Sequence, residues 1–436
     1  MNVLLVGSGG REHALAWKLA QSPLLKRLYV APGNAGTAIL DQQFPQVKVS
    51  NLEIKATDVP GIAAFAGQNA IDLVVVGPEE PLALGLTDQL KMGGLRVFGP
   101  TRAAAQIEAS KAFAKDFLAR HKIPSAGFAT FRRYEDALAY LNTLPGDPPP
   151  VVIKASGLAA GKGVVVPQSR QQAEAALQQI MLEKAFGVAG DEVVLEERLE
   201  GPEISLLAFC DGKLARPMIP AQDHKRILEG DQGANTGGMG AYAPVPICAP
   251  EMAAELTRTV LQPVVDGLRA EGRPFVGALY AGLMLTDTGP QVIEFNCRFG
   301  DPETQVILPL LDGDLLEIFL ACAGGSLADA DIRWKPGAAA CVVLASRGYP
   351  GKYPTGYEIR GVKANRTDAY IFHAGTKLHH DGKILTAGGR VLCVSGWGES
   401  IKTALANAYK AIDGVSFEGM QYRKDIGWRV FHEHNK

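Results

Sequence analysis

Four short apolar runs near the start of the chain each stop at a glycine or proline turn, and that repetition restricts the fold more than any other feature. Asn2–Val6 runs into Gly7-Ser8-Gly9-Gly10, Leu28–Val30 into Ala31-Pro32-Gly33-Asn34, Ile71–Val76 into Gly77-Pro78, and Leu95–Phe98 into Gly99-Pro100. Runs of this length read as strands, and helical stretches such as Arg11–Gln21 follow them. Strand, polar turn and helix in alternation mean a parallel sheet wrapped by helices. Ligands of such sheets sit in the loops beyond the strand ends. The expected class is therefore α/β, opening on an N-terminal doubly wound parallel sheet.

The first of these turns feeds a helix N-terminus, where backbone N–H groups can face an anion. A dinucleotide fold would show G-x-G-x-x-G, but Glu12 stands where the third glycine belongs, and no acid follows the Leu28–Val30 strand. On these residues alone, a phosphate-binding turn of Gly7, Gly9 and Gly10 and a plain tight turn remain equally open.

A chain of 436 residues suggests about three domains. A net charge of −2 provides no electrostatic case for nucleic acid as a partner. The longest apolar runs, such as Phe275–Leu285, are too short and too glycine-rich to span a bilayer, and Met1–Leu5 lacks the basic start of a leader. Six cysteines are scattered without a C-x-x-C pair, which favours reduced thiols in a cytoplasmic protein over disulfides or a zinc site.

The richest stretch for chemistry is QVIEFNCRFGDPE, residues 291–303. Strand alternation sends Val292, Glu294 and Asn296 to one face and Ile293, Phe295 and Cys297 to the other, packing face. Glu294 and Asn296 are hard oxygen ligands suited to a Mg²⁺ that keeps waters and holds phosphates. A solvated strand face would explain Glu-x-Asn as well. The nearby Arg298, a planar fork for carboxylate or phosphate, and the abrupt Gly300-Asp301-Pro302 turn favour a site. By the same parity Cys297 is core, not a nucleophile.

Further upstream, the stretch 103–121 reads as one long helix carrying Lys111, closed by Pro124. Lys154 ends a valine-rich strand, and a loop from Gly157 through Gly161, Lys162 and Gly163 leads into a second valine strand. A P-loop would need Ser or Thr and a helix after Gly161-Lys162, so this segment argues against a Walker fold. A glycine-rich hairpin with two lysines suits a lid that clamps polyphosphate. Glu196 and Glu203 flank Leu199 beyond the next strand, where acids and backbone groups could hold an adenine amino group and ribose hydroxyls. Asp223 beside His224 has no nucleophilic serine to complete a triad, and Gly237-Gly238 sits in a loop rich in backbone N–H groups.

In order, GSGGREHALAWKL, KASGLAAGKGV, EERLEGPE, QDHKR, NTGGMGAY and EFNCRFGDPE resemble the glycinamide ribonucleotide synthetases (phosphoribosylamine–glycine ligases), a family of the ATP-grasp superfamily. The likeness runs from the first strand to FEGMQYRKDIGW. It implies an N-terminal domain over 1–104, an ATP-grasp core over 105–122 and 192–325, a small lid subdomain over 123–191, and a C-terminal mixed α/β domain over 326–436. It further implies ATP as co-substrate, Mg²⁺ or Mn²⁺ as cofactor, glycine and phosphoribosylamine as small-molecule substrates, and a monomer. Lys111 and Lys154 would contact ATP phosphates beneath the Gly157–Gly163 flap. Glu196 and Leu199 would hold adenine, Glu203 the ribose, and Glu294 and Asn296 the metal. Arg298, Asp223 and Gly237–Gly238 would face glycine and the amine, with Arg298, Asp223 and Lys154 catalytic, and the Gly7–Gly10 turn would take the acceptor's phosphate. Ser156, Glu229 and Ala234 depart from the family pattern, and the strand around Ala281–Leu285 lacks an acid found in many grasp enzymes. The rival readings are another grasp ligase with a different acceptor, and a non-catalytic nucleotide or sugar-phosphate binder.

Overall fold

A computed structural model describes residues 1–159, 162–362 and 366–432. The N-terminal strands form a five-stranded parallel sheet in the order Lys48–Asn51, Arg27–Pro32, Asn2–Gly7, Leu73–Val76, Val97–Phe98. Val3 to Val6 and Leu73 to Val75 are covered on both faces, as central parallel strands must be. The edge strand Lys48–Asn51 has no continuous apolar run, which is why the sequence pattern passes over it.

The predicted single helix over 103–121 is two helices, Arg102–Ala109 and Lys111–Arg120. Ser110 between them is extended, at φ −138° and ψ 110°, and its hydroxyl caps Phe113 N–H. The break lets the second helix start against another segment. Lys111 N–H donates to Ser156 O at 2.8 Å, and Ala112 N–H donates to Ser156 Oγ at 3.1 Å. Lys111 is therefore a first-turn residue, with its backbone tied to the strand end that follows Lys154.

Four antiparallel strands, in the order Phe128–Phe131, Val193–Glu197, Val151–Ala155, Val164–Val165, form a second sheet. Helices Tyr134–Thr143 and Arg170–Leu177 pack on it through Leu141, Ala173 and Leu177, making an apolar core separate from the rest of the chain. The hairpin anticipated from the two valine strands is present, with Lys154 opposite Val164. Val193–Glu197, which the sequence assigns to the grasp core, is hydrogen-bonded in the middle of this sheet.

A third sheet runs Ala215–Pro217, Glu203–Asp211, Val276–Thr286, Gly289–Asn296, all antiparallel. Its last pair slips register between Gly282 and Leu283: Gly282 faces Glu294 while Leu283 faces Val292, leaving Ile293 as the extra residue. This bulge corrects the simple alternation expected from sequence. Val292 joins Phe295 and Cys297 in the core, while Ile293 lines the cavity beside Glu294.

The last large sheet contains Gln222–Asp223, Gly240–Ala243, Ala338–Ser346, Arg390–Gly398 and Ala369–His373, with Met420–Gln421 added to Ala338–Ser346. Two of its strands come from the segment between the grasp strands. Helix Ile401–Ile412 covers it through Ala404 and Ala408, and Gly396 allows the close approach, since a Cβ there would meet helix backbone.

Candidate active site

The three sheets that follow the N-terminal one meet around a single cavity of about 570 Å³. Its wall includes Lys111, Lys154, Gly163, Glu196, Leu199, Glu203, Asp223, Gly237, Glu294, Asn296 and Arg298. Residues from five separate stretches of sequence are thus brought together. Gly7, Gly9, Gly10, Gly157, Lys162 and Gly238 are not on that wall, and Gly161 lies outside the described residues. Lys162 has an exposed side chain at the hairpin loop.

At one end, Lys154 is buried and donates to Glu196 Oε2 at 3.0 Å and to Ile293 O at 3.2 Å. Lys115, one helical turn after Lys111, approaches the same Glu196 oxygen at 3.0 Å, in ion-pair rather than hydrogen-bond geometry. Burial lowers the pKa of both Lys111 and Lys115; Glu294 chiefly offsets this for Lys111 and Glu196 for Lys115. Three ammonium groups with so little compensation make a basin for a polyanion. Glu196 therefore turns its carboxylate to the lysines, and its Oε1 is buried without a hydrogen bond among the described residues.

Across the cavity, Glu294 and Asn296 project from the strand past the bulge. The Glu294 carboxylate forms no ion pair or hydrogen bond among the described residues, although Lys111 is close enough to feel its charge. No cluster of three or more His, Cys, Asp or Glu suited to a metal occurs among the described residues. A free carboxylate and an amide oxygen facing a polyphosphate basin fit a hard divalent cation that takes its remaining ligands from phosphate and water.

Arg298 is held on several sides. Its Nε donates to Glu79 Oε2 at 3.1 Å, Nη1 to Phe299 O at 3.2 Å and Nη2 to Asn296 Oδ1 at 3.2 Å, with Glu108 Oε1 also 3.2 Å from Nη2. Burial opposes its charge, but Glu108 and Glu79 more than compensate and raise its pKa. Glu108 is pushed up by burial, while half-buried Glu79 is held low by Arg298 against the opposing effect of desolvation. Glu79, Glu108 and Lys115 were not apparent from sequence, because isolated charges on helices usually face solvent. Only the charged residues beyond the Ile71–Val76 strand, in the Glu79-Glu80 turn, offered a hint.

The other end is acidic and contains one more lysine. Lys225 donates to Glu203 Oε2 at 2.6 Å, which lowers the Glu203 pKa; burial works against the Lys225 charge, but Glu203 and Asp223 raise it. Asp223 lines the wall with a carboxylate that accepts no hydrogen bond among the described residues. Its pKa is pushed up to about 7 by burial, with Glu303 and Glu203 adding to the rise. Glu303 itself accepts from Tyr280 Oη at 3.0 Å, and Tyr280 and Ser205 share a 2.7 Å hydrogen bond.

Next to this end, the Gly7–Gly10 turn is stabilised from below by the chain itself. Glu12 Oε2 accepts Gly9 N–H at 2.6 Å, and a side chain at Gly7, where φ is +129°, or at Gly77 would strike Glu12. Asp301 lies 3.5 Å from Arg11 N and 3.4 Å from Arg390 Nη2. Arg390 also donates to Gly237 O at 2.6 Å and Asp301 O at 2.7 Å, so the C-terminal sheet reaches the cavity wall through this guanidinium. Of the N-terminal turn and its helix, Arg11 is what borders the cavity.

A glycine-rich hairpin sheet facing an antiparallel sheet, with lysines on one side and oxygen ligands on the other, defines an ATP-grasp protein. Sequence profiles carry this further. Phosphoribosylglycinamide synthetase profiles match here for the N domain over residues 1–108, the ATP-grasp (A) domain over 109–304 and the C domain over 339–429. The chain belongs to the phosphoribosylglycinamide synthetase family. It is 50% identical over 431 residues to the phosphoribosylamine–glycine ligase of Pasteurella multocida, covering 99% of this chain and 98% of that one. It is 52% identical over 430 residues to the trifunctional purine biosynthetic protein adenosine-3 of Gallus gallus, of whose length it spans 42%. The crystal structure of phosphoribosylamine–glycine ligase from Thermotoga maritima superimposes with a TM-score of 0.83 at 32% identity, over 98% of this chain and 100% of that one. No helix among the described residues is long and apolar enough to cross a membrane.

Proposed function

We propose that this chain joins glycine to phosphoribosylamine at the expense of ATP, forming glycinamide ribonucleotide, ADP and phosphate by way of glycyl phosphate. The observation that carries the reading is a single cavity with a lysine basin facing Glu294 and Asn296 at one end and, at the other, an Asp223 carboxylate that accepts no hydrogen bond among the described residues. A carboxylate is a poor electrophile, and converting it to an acyl phosphate gives it phosphate as a leaving group. Phosphoryl transfer asks chiefly for positioning and charge neutralisation.

Lys111 and Lys154 hold the ATP phosphates, and Gly157–Gly163 with Lys162 closes over them to keep water from the acyl phosphate. Leu199 and the Glu196 segment border the adenine, and Glu203 the ribose. Mg²⁺ or Mn²⁺ held by Glu294 and Asn296 would supply charge neutralisation at the transferred phosphate. Arg298, fixed by Glu79 and Glu108, orients the glycine carboxylate. Asp223, with Gly237–Gly238 beside it, meets the amine and accepts a proton as the amide forms. The phosphate of the acceptor lies toward the Gly7–Gly10 turn, where Arg11 reaches the wall. The lid subdomain extends to Glu197, and the protein acts as a cytoplasmic monomer without a nucleic-acid partner.

The test is turnover with ATP, glycine and phosphoribosylamine, with each omitted in turn. Glycine carrying ¹⁸O at both carboxylate positions should deliver one label to inorganic phosphate and keep one in the amide. Unlabelled phosphate released in step with product would rule out the acyl-phosphate route.

A further inference from the structure

The hairpin formed by Arg226–Leu228 and Gln232–Asn235 follows directly on Asp223 and Lys225, yet residues 227–235 are largely exposed and bury almost nothing. A segment with so little apolar contact needs other fastening. That fastening comes from the far end of the chain. Asp231, at the hairpin turn, receives Arg423 Nη1 on one oxygen at 2.8 Å and Arg429 Nη2 on the other at 2.6 Å. Asp425 pairs with Arg423 at 2.7 and 2.8 Å and accepts Gly230 N–H at 2.8 Å. Arg423, 1% exposed, also donates to Arg226 O at 3.1 Å.

Two contacts reach the cavity strand itself. Arg429 Nη1 donates to Asp223 O at 3.1 Å, and Gly427 N–H donates to His224 Nε2 at 3.1 Å. Asp231 has φ +54°, a left-handed conformation that an aspartate holds at a cost and that its two arginine partners sustain.

We infer that Arg423, Asp425 and Arg429 form a clasp that positions the Asp223–Lys225 wall, so that the C-terminal segment sets the affinity for the amine substrate. None of the three lines the cavity, and they act through Asp231 and the Asp223 backbone. The substrate named here rests on the proposed function; the clasp itself rests on the contacts alone.

Asp231→Asn, at a partly exposed site, tests it without opening a core. The kcat/KM for phosphoribosylamine should fall about tenfold while the KM for ATP stays within about twofold, and Asp231→Glu should recover much of the loss. Asp425→Asn should shift the same parameter in the same direction. Trypsin cleavage after Lys225 or Arg226 in the full chain should be faster in both Asn variants, whatever substrate the enzyme uses. Unchanged cleavage and unchanged amine kinetics would overturn the clasp. An equal rise in both KM values would overturn its specific role. A wild-type chain that makes no product would overturn the substrate assignment, and the cleavage rates would still decide the clasp.

Discussion

Lys115 Nζ lies 3.0 Å from Glu196 Oε2, the same oxygen that Lys154 approaches at 3.0 Å. One buried carboxylate thus holds two buried ammonium groups, and the surplus positive charge faces the cavity. Lys115→Met keeps the bulk, removes that surplus and leaves Glu196 to Lys154. The KM for ATP should rise about five- to tenfold with a smaller change in kcat, read from steady-state kinetics. Glu196→Gln should behave differently, because two lysines are then left without their carboxylate. Urea denaturation should show a loss of about 3 kcal/mol.

Glu294 is half-buried on the strand edge and its carboxylate forms no ion pair or hydrogen bond among the described residues, so its removal should cost the fold little. Glu294→Ala should reduce turnover by at least about a hundredfold at saturating Mg²⁺, with stability within about 0.5 kcal/mol of wild type. Asn296→Ala should lose less on the metal side. It also removes the acceptor of Arg298 Nη2, so part of its effect should appear in the KM for glycine. Near-normal turnover in Glu294→Ala would displace the metal from this strand.

Asp223 has a folded-state pKa near 7, above the value of about 3.9 for a free aspartate. The folded chain therefore binds a proton between about pH 4 and 7 that the unfolded chain releases. The stability this provides is fully present below about pH 4 and lost as pH rises through about 7. Asp223→Asn should match wild type near pH 4 and be more stable by on the order of 1–3 kcal/mol at pH 8. In the same variant the rise of ligation rate through pH 7 should flatten, since that limb reports the carboxylate that takes the amine proton. A wild-type rate profile without an inflection near 7 would remove Asp223 from that step.

Lys162 is exposed and off the cavity wall, while Gly163 and Ala159 border it. Closure over nucleotide should bring the lysine in. Trypsin cleavage after Lys162 should be suppressed about tenfold or more by a non-hydrolysable ATP analogue with Mg²⁺, and not by glycine alone. Equal cleavage with and without the analogue would argue against a closing lid.

Much of this site was legible before any tertiary contact was known. The apolar runs ending in glycine and proline announced the parallel sheet, and the valine strands around the lysine-bearing loop announced the hairpin. Glu294, Asn296, Lys111, Lys154 and Asp223 all line one cavity. Such features are local: strand period, turn chemistry and residue spacing survive in one dimension.

Other features depended on contacts between distant segments. The break at Ser110 is an instance, because its partner is Ser156 on another sheet and helix propensity alone favours continuity. The bulge at Ile293 reverses which of Val292 and Ile293 faces the core, and a slip of one residue leaves no mark on an apolar pair. Lys115, Glu79 and Glu108 read as solvated helix charges until folding pairs them with Glu196 and Arg298. Asp231 and Arg429 are separated by nearly half the chain, and their ion pair exists only because the C-terminal segment folds back on the hairpin. The sequence alone determined which chemical groups were available and in which local setting. Burial and the pairing of remote charges, which set protonation state and orientation, were decided by the tertiary structure, because desolvation and Coulomb energies depend on distances through space rather than along the chain.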